Sequence, residues 1–401
     1  MVKSFLSGGF KMSSLKKAIA VIAAFVVCIS CMGALSACRM SKDEVVATYK
    51  NGSETFEVKA GTYLYMQLNA YSLFRNEYDS AIEEASATTS ADLKYEKETL
   101  DDKDYNTWVE DKALELCAQY AYIETEFDKL GLEISDDIQS QLEAAASATW
   151  ASGGYEDVYV PNGVSQSTFN DYFINQYYKL DIIYDYYYGE HTDEEKSEDK
   201  NLGSLRPSDD EILKNVTKFY ELADTISISL TKSDSTSSDV VSLTDDEKAE
   251  AKKKLQGYAD RLNSGTPFST IYKEYNGSDI SEEAASAGHD KYATLYGSEE
   301  TGNQNSSYFS EISKQKVGKA AVVEFSDCYM LVYKQDITAD SYYTENIKSS
   351  IVYLMEYDNF VDSVEENANK LEVTVNQSAV KYYSPKKIKI PTVVATASYE
   401  Q

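Results

Sequence analysis

The sequence predicts an α+β protein in which a small α+β module is inserted between two helical regions. Apolar residues recur every three or four positions from about 106 to 189 and again from 347 to 371, which is typical of helices that bury one face. Between these regions the period changes to two at Ile226, Ile228 and Leu230, which is typical of a half-buried strand. The later helix is therefore expected to complete the helical domain that the earlier region begins.

Size and charge restrict the organisation and the partners of the protein. The chain has 401 residues, enough for roughly two to three domains of about 150 residues each. Hydrophobic residues make up 42%, which allows a sizeable core. The 67 acidic and 38 basic residues give a formal net charge of −29. No nucleic acid is expected as a partner, because so acidic a surface repels phosphate backbones and no basic patch stands out.

The first 37 residues have the features of a bacterial export signal. Lysines precede an uncharged stretch at 18–37, as in the positive and apolar regions of a secretory signal. The stretch closes with Leu-Ser-Ala before Cys38, which resembles a lipoprotein cleavage site. We expect residues 1–37 to be removed and Cys38 to carry a lipid, which leaves a chain of charge −33 at the outer face of the cell membrane. An uncleaved membrane anchor is the alternative, since about 20 apolar residues can cross a bilayer.

The cysteines agree with export but do not indicate a disulfide framework. Cys28 and Cys31 would leave with the signal, and Cys38 would be lipidated. Cys117 and Cys328 remain, each among apolar neighbours in a different predicted element. Two buried, unpaired thiols are favoured, and a disulfide between them is the alternative.

The region at 38–189 is predicted to be a helical domain. After a short tether at 39–45, the clearest helix is expected to be capped by Asn106 and to end at Gly131. A later helix is expected to bury one continuous apolar stripe against its neighbours. The stripe consists of Phe169, Phe173, Tyr177, Leu180, Tyr184 and Tyr187.

Polar stretches mark the predicted connections. The acidic stretch at 92–104 and the Ala- and Ser-rich stretch at 144–154 are expected to be exposed connections. The charged stretch at 190–207 is predicted to be a linker between domains. Beyond the inserted module, a C-terminal helix is expected at 339–380, with a strand-like Leu-Glu-Val-Thr-Val near its end, and a flexible tail is expected at 381–401.

The inserted module at 208–338 is predicted to combine helices with strands. Two capping boxes are expected to start its helices, and a loop is expected at 284–307. The last two strands are expected to pair through a short turn. The capping boxes are Ser208 with Glu211 and Thr244 with Glu247, and the two strands lie at 320–325 and 328–334.

The scarcity of histidine argues against most catalytic centres. His191 lies in the charged linker and His289 lies in a loop rich in Gly, Ser and Ala, so both are expected on the surface. We therefore expect no cofactor and no metal. Tyrosine is abundant instead, at 34 residues against 13 Phe and 2 Trp. Its rings either form an adaptable binding surface or replace Phe and Leu in the core.

The order of the segments resembles a known family. The strand TISISLT, the helical segment KKKLQGYADRLNSGTPFSTIYKEY, the Lys-Val-Gly at 316–318 and the strand CYMLVYK resemble a parvulin peptidyl-prolyl isomerase domain, with Gly265, Phe268 and Tyr275 at family positions. Together with KLGLEISDD around Gly131 and the lipoprotein signal, they resemble PrsA-type foldase lipoproteins and, more loosely, SurA-like chaperones. The resemblance implies a helical chaperone domain formed by the N- and C-terminal regions, with an inserted parvulin-like α+β domain.

The two family histidines are replaced in this sequence. Ile228, to within one residue, stands at the histidine position of the first strand, and Met330 stands at that of the last strand after the family aromatic, Tyr329. The resemblance therefore implies a degenerate module with no catalytic residues. Tyr308 and Phe309 would supply aromatic walls of a remnant substrate-binding groove with Tyr329 and Met330, and a core role is the alternative.

Three functions follow as expectations. The first is a membrane-anchored extracytoplasmic foldase or chaperone that binds newly exported, unfolded proteins in a helical, Tyr-rich cradle. The second is an active peptidyl-prolyl cis-trans isomerase with an atypical pocket. The third is a surface lipoprotein that binds one specific ligand and uses the isomerase fold as a scaffold. The oligomeric state, monomer or homodimer, is left open.

Overall fold

The computed structural model describes residues 43–84, 95–233, 240–279, 292–339 and 343–389. The predicted export signal, Cys38, His289 and most of the predicted tail lie outside the described residues. Within these ranges, no helix is both long and apolar enough to cross a membrane.

Helices and small antiparallel sheets alternate along the chain, so the predicted α+β class is confirmed. The helices are α1 Ala60–Glu84, α2 Tyr105–Lys129, α3 Asp136–Ser152, α4 Tyr155–Tyr159, α5 Gln166–Ile174, α6 Leu180–Tyr188, α7 Asp193–Glu198, α8 Asp209–Phe219, α9 Asp245–Asn263, α10 Phe268–Asn276, α11 Ser306–Ser313, α12 Glu345–Ala368 and α13 Gln377–Tyr382. The strands are β1 Val45–Asn51, β2 Glu54–Lys59, β3 Thr99–Leu100, β4 Lys103–Asp104, β5 Tyr220–Ser229, β6 Thr231–Ser233, β7 Val240–Ser242, β8 Ala293–Gly297, β9 Ala320–Glu324, β10 Cys328–Gln335 and β11 Glu372–Val375.

The chain divides into two compact units. The described residues of 43–187 and 359–389 form one, here called the helical unit, and those of 188–358 form the other, here called the sheet unit. The stretch at 190–207, predicted as a linker, belongs to the sheet unit and contains α7, because Thr192 and Glu195 form a capping box that the sequence analysis overlooked. The predicted C-terminal helix, α12, is divided between the units at residue 358.

The helical unit begins with strands rather than with the predicted tether and helix. β1 pairs antiparallel with β2 and with β11, so that Tyr49 lies opposite Phe56 and Val373. The strand-like segment near the end of the C-terminal helix is confirmed as β11. The sequence does contain a signal for the hairpin, because the two-residue turn Gly52-Ser53 begins with a glycine, and Gly52 adopts a φ of 64°.

The helix ends follow local hydrogen bonding. Asp104, rather than the predicted Asn106, caps α2: its Oδ1 accepts the Asn106 N–H at 3.0 Å and the Thr107 N–H at 3.3 Å. Gly131, with a φ of 66°, follows the last turn as predicted. The stretch at 144–154, predicted as an exposed connection, instead lies mostly in α3, which buries Ala146 and Trp150.

A π-helical turn at Asn175–Lys179 joins α5 to α6 and changes the predicted stripe. The wider turn inserts residues into the helical repeat, so that Tyr177 points outward and is 52% exposed. Beyond it, Ile183 and Tyr186 are buried instead of Tyr184 and Tyr187. The continuous stripe expected from 169 to 187 is therefore interrupted at Tyr177, although Leu180 beyond the turn is buried as predicted.

Tyrosine supplies much of the core of the helical unit. Its hydroxyl groups reach polar partners from inside the core. The Tyr49 hydroxyl donates to the Leu114 carbonyl at 2.9 Å, and the Tyr95 hydroxyl donates to Asp79 Oδ1 at 2.9 Å. This packing favours a core role for the abundant tyrosines over a broad tyrosine surface. The buried tyrosines are Tyr49, Tyr63, Tyr65, Tyr95, Tyr105, Tyr120, Tyr159 and Tyr186.

The sheet unit is built on an antiparallel sheet with the strand order β8-β5-β10-β9. The predicted capping boxes start α8 and α9, and the predicted strands β9 and β10 are confirmed. One face of the sheet packs against α9, and the other packs against α11; these are called the α9 face and the α11 face. The predicted loop at 284–307 instead contributes β8, a sheet strand, and the start of α11.

Burial of tyrosine predicts a loss of stability in alkali. Burial raises the pKa of Tyr63, Tyr65 and Tyr120 well above the usual value of about 10. Their folded pKa values exceed the unfolded ones, so their stabilisation is complete below about pH 10 and is lost as the pH rises further. Each such group should lower the free energy of unfolding by about 1.4 kcal/mol per pH unit above about pH 10.

Urea unfolding at a series of pH values, with phenolate absorbance followed in parallel, measures this effect. A buried class of tyrosines should ionise only as the chain unfolds, and Tyr63→Phe should reduce the alkaline slope by about one proton. A free energy of unfolding that stays constant up to about pH 12 would contradict the assignment of these rings to the core.

Candidate functional site

The strand alternation of β10 separates the residues predicted to form one groove. Successive side chains of a strand point to opposite faces. Met330 lies opposite Ser227 across the β5–β10 pair, and Tyr329 lies opposite Ile228. Ile228 and Met330, the two predicted family histidine positions, therefore face opposite sides of the sheet. The residue of β5 that shares the side of Met330 is Ser227, one position from the predicted Ile228.

Met330 belongs to a packed cluster on the α11 face. It is 5% exposed and lies with the buried Tyr296, Ile312 and Cys328. The i, i+4 spacing of Tyr308 and Ile312 places both on the side of α11 that meets the sheet. These side chains pack against one another between the sheet and α11.

Tyr308 closes one end of the cluster. Its ring meets Phe325 edge to face with 4.8 Å between centroids, and its hydroxyl donates to Asp327 Oδ2 at 3.1 Å. Phe309, the next residue on α11, is half-buried and points about 100° away around the helix. Tyr308 therefore contacts the predicted site as a covering side chain, and Phe309 is not one of the cluster's members.

Tyr329 is a core residue of the α9 face. It is buried with Ile226, Leu255 and Leu331. The Lys252 ammonium lies 5.3 Å from the centroid of its ring, within cation–π range. Of the four predicted groove residues, Tyr329 lies on the α9 face, Phe309 belongs to neither cluster, and only Tyr308 and Met330 come together.

Near Met330, the α11 face brings together hydroxyl groups and a thiol. The Tyr296 hydroxyl and Thr225 Oγ1 lie 2.9 Å apart. Burial and, to a smaller extent, the neighbouring Asp327 carboxylate together raise the pKa of Cys328 to about 11, so the thiol stays protonated at neutral pH. Across the described ranges, no cluster of three or more His, Cys, Asp or Glu side chains is placed to hold a metal ion.

Both remaining cysteines are free. Cys117 and Cys328 are buried and unpaired, as the sequence favoured. Burial raises the pKa of the Cys117 thiol as well. Neither thiol has the lowered pKa that makes a cysteine reactive.

A buried ion pair lies further along the α11 face, and the sequence analysis missed it. Lys334, on the same side of β10 as Met330, donates to Glu221 Oε1 at 2.9 Å and to the Ser313 carbonyl at 3.0 Å. Both charged residues are buried. A signal was present for Lys334, because it follows Cys328, Met330 and Val332 at the inward positions of β10 on this face. Beside them opens a pocket of about 260 Å³, lined by Thr217, Glu221, Ser313, Val317, Lys334, Gln335, Asp336 and Ile337.

The helical unit presents a different kind of surface at its π-helical turn. The exposed ring of Tyr177 lies 4.9 Å from the ring of Phe173. Behind this pair the buried Asn175 donates to Glu124 Oε1 at 2.8 Å, and Lys179 donates to Glu124 Oε2 at 2.7 Å. These bonds hold the turn in place beneath the two rings.

The chain matches no family model, and it matches no curated protein sequence. Among solved structures it is similar to the foldase protein PrsA from Streptococcus pneumoniae, with 13% sequence identity and a TM-score of 0.33. The match covers 68% of this chain and 88% of that chain. A TM-score this low supports no conclusion about fold or function.

The packing of Tyr308 over Cys328 predicts the reactivity of the thiol. With a pKa of about 11, only about one thiol in a thousand is ionised at pH 8, against about a quarter for an ordinary cysteine. Timed alkylation with iodoacetamide, followed by peptide mass spectrometry, should therefore modify Cys328 at least about a hundredfold more slowly than an exposed cysteine.

Removal of the covering ring tests the cause. Tyr308→Ala should accelerate alkylation of Cys328 by about tenfold or more, because it opens the end of the cluster to solvent. Tyr272→Ala removes a half-buried ring from the α9 face and serves as the matched control, with no change expected. Equal rates in all three proteins would show that Tyr308 does not shield the thiol.

Proposed function

We propose that this protein is an extracytoplasmic chaperone that holds unfolded segments of newly exported proteins. Cys38 would carry the lipid that tethers it to the outer face of the cell membrane. The export signal and the resemblance of the segment order to PrsA-type foldases support this proposal. Mass spectrometry of the mature N-terminal peptide tests the anchor, and a chain that keeps residues 1–37 would rule it out.

The exposed aromatic pair of the helical unit carries the proposal. Aromatic rings offer a large contact area at low entropic cost, and π-helical turns are frequent at functional sites. Tyr177, at 52% exposure, is the only tyrosine among the large hydrophobic side chains that stand out from the described surface. The Glu124 network fixes the turn before a client arrives, so less conformational entropy is lost on binding.

The net charge suits a holding function. A charge of −33 on the chain without residues 1–37 makes copies of the protein repel one another, which opposes co-aggregation with the apolar clients that they hold. Clients would then be bound through apolar and aromatic contacts, while the acidic surface keeps the complexes dispersed.

Prolyl isomerisation is the weaker candidate. The reaction needs no nucleophile, but it needs a pocket that admits a proline and favours its twisted amide. At the family position Met330 is packed beneath α11, and the neighbouring position on β5 is Ser227. We infer that the sheet unit has a binding or structural role and does not catalyse prolyl isomerisation.

Suppression of client aggregation tests the proposed function. The full chain should slow the light scattering of insulin reduced by dithiothreitol, and Tyr177→Ser should raise the concentration required about fivefold, equivalent to about 1 kcal/mol of lost contact. Leu205→Ser is the matched control, because Leu205 is 54% exposed but lies in the sheet unit. A wild-type chain that fails to suppress aggregation would sink the proposal and favour a lipoprotein for one specific ligand.

Exchange spectroscopy by NMR tests the isomerase alternative. In a panel of Xaa-Pro peptides, the full chain should leave cis-trans exchange at the uncatalysed rate, with time constants of tens to hundreds of seconds. A clear acceleration by the wild-type chain that Met330→Ala abolishes would place the isomerase first. Acceleration that survives this substitution would indicate a site elsewhere on the chain.

A further inference from the structure

The pocket beside the buried ion pair has a polar floor. The Lys334 ammonium has three N–H donors, and two are used by Glu221 Oε1 and the Ser313 carbonyl. Glu221 Oε2 accepts no hydrogen bond from the described residues. The floor of the pocket thus offers one donor and one acceptor side by side.

The rim of the same pocket is apolar and exposed. Val317 lines the pocket and is 55% exposed. Thr217 lines it from α8, and Leu213, one helical turn earlier on the same side of α8, is 43% exposed. Large exposed apolar side chains next to a pocket indicate a binding surface, because a ligand that covers them removes apolar area from water.

We propose that this pocket binds an extended segment of unfolded polypeptide through the main-chain N–H and C=O of one residue, with flanking side chains on Leu213 and Val317. A residue in an extended chain directs its N–H and its C=O to the same side, as in a ladder pair. The C=O would accept from Lys334, and the N–H would donate to Glu221. This inference rests on the proposed function and gives it a second client contact, distinct from Tyr177.

Charge and size favour this occupant over others. Lys334 and Glu221 neutralise each other, and Asp336 on the lining adds a negative charge, so the pocket does not attract anions. Its volume of about 260 Å³ is below the ~300–1,000 Å³ of most small-molecule sites. It therefore fits a single residue of a neutral chain segment better than a phosphate or a cofactor.

Fluorescence anisotropy of the full chain with a labelled, end-capped peptide of alternating valine and serine tests the proposal. The double variant Leu213→Ser with Val317→Ser should weaken binding about tenfold, because it removes both apolar contacts. Val240→Ser is the matched control, since Val240 is 69% exposed in the same unit but does not line the pocket. Its affinity should equal that of the wild type.

The polar floor is tested by Lys334→Met combined with Glu221→Leu. This pair replaces both charges by apolar groups, so neither partner is left buried and unpaired. An unchanged circular dichroism spectrum with at least tenfold weaker binding would support the amide contact. Unchanged affinity in the floor and rim variants would overturn the inference.

The outcomes separate this inference from the proposed function. If the wild-type chain suppresses insulin aggregation but the rim variant binds the peptide as tightly as the wild type does, the pocket inference is overturned and the chaperone function stands. Peptide binding that is weakened by the rim variant, in a wild-type chain that does not suppress aggregation, supports the pocket and overturns the chaperone function. A rim variant that changes the sedimentation coefficient but not the peptide affinity would assign the surface to a second copy of this chain and overturn the inference.

Discussion

The sheet unit depends on one strand, β10, whose side chains are buried on both faces of the sheet. β10 pairs with β5 on one side and with β9 on the other, and its side chains alternate between the α9 face and the α11 face. Tyr329 and Leu331 fill the first, and Met330 and Val332 fill the second. A shift of one residue in the register would exchange the two sets, so the strand pairing fixes which residues can share a site.

This constraint explains why the groove predicted from the sequence is not found as a unit. Sequence order places Tyr329 and Met330 side by side, whereas the pleat points them in opposite directions. The same geometry brings Met330 together with Tyr308 and takes Lys334 to a pocket of its own. Two residues of β10 can therefore share a site only when an even number of positions separates them.

The elements with strong local sequence signals were predicted better than the elements that depend on contacts with other helices or strands. The capping boxes at Ser208 and Thr244 and the strand at 328–334 signal locally, and they are confirmed. The π-helical turn at Asn175–Lys179 has no local signal, because it is supported by bonds from Asn175 and Lys179 to Glu124 on another helix. β8 was missed because it lies at one edge of the sheet, with only one strand neighbour, β5.

The buried pair of Lys334 and Glu221 is the feature hardest to explain by stability alone. Two charges removed from water lose solvation that their attraction barely repays, and apolar residues of the same size often serve a core as well or better. Here the pair is buried yet borders an open pocket, and the Ser313 carbonyl at the end of α11 fixes the ammonium. A fixed donor beside a fixed acceptor needs no reorganisation when a peptide backbone approaches. The cost of removing the two charges from water is incurred on folding, and the pair is then already in place for binding. The α11 face thus combines a closed end at Met330 with an open end at Lys334.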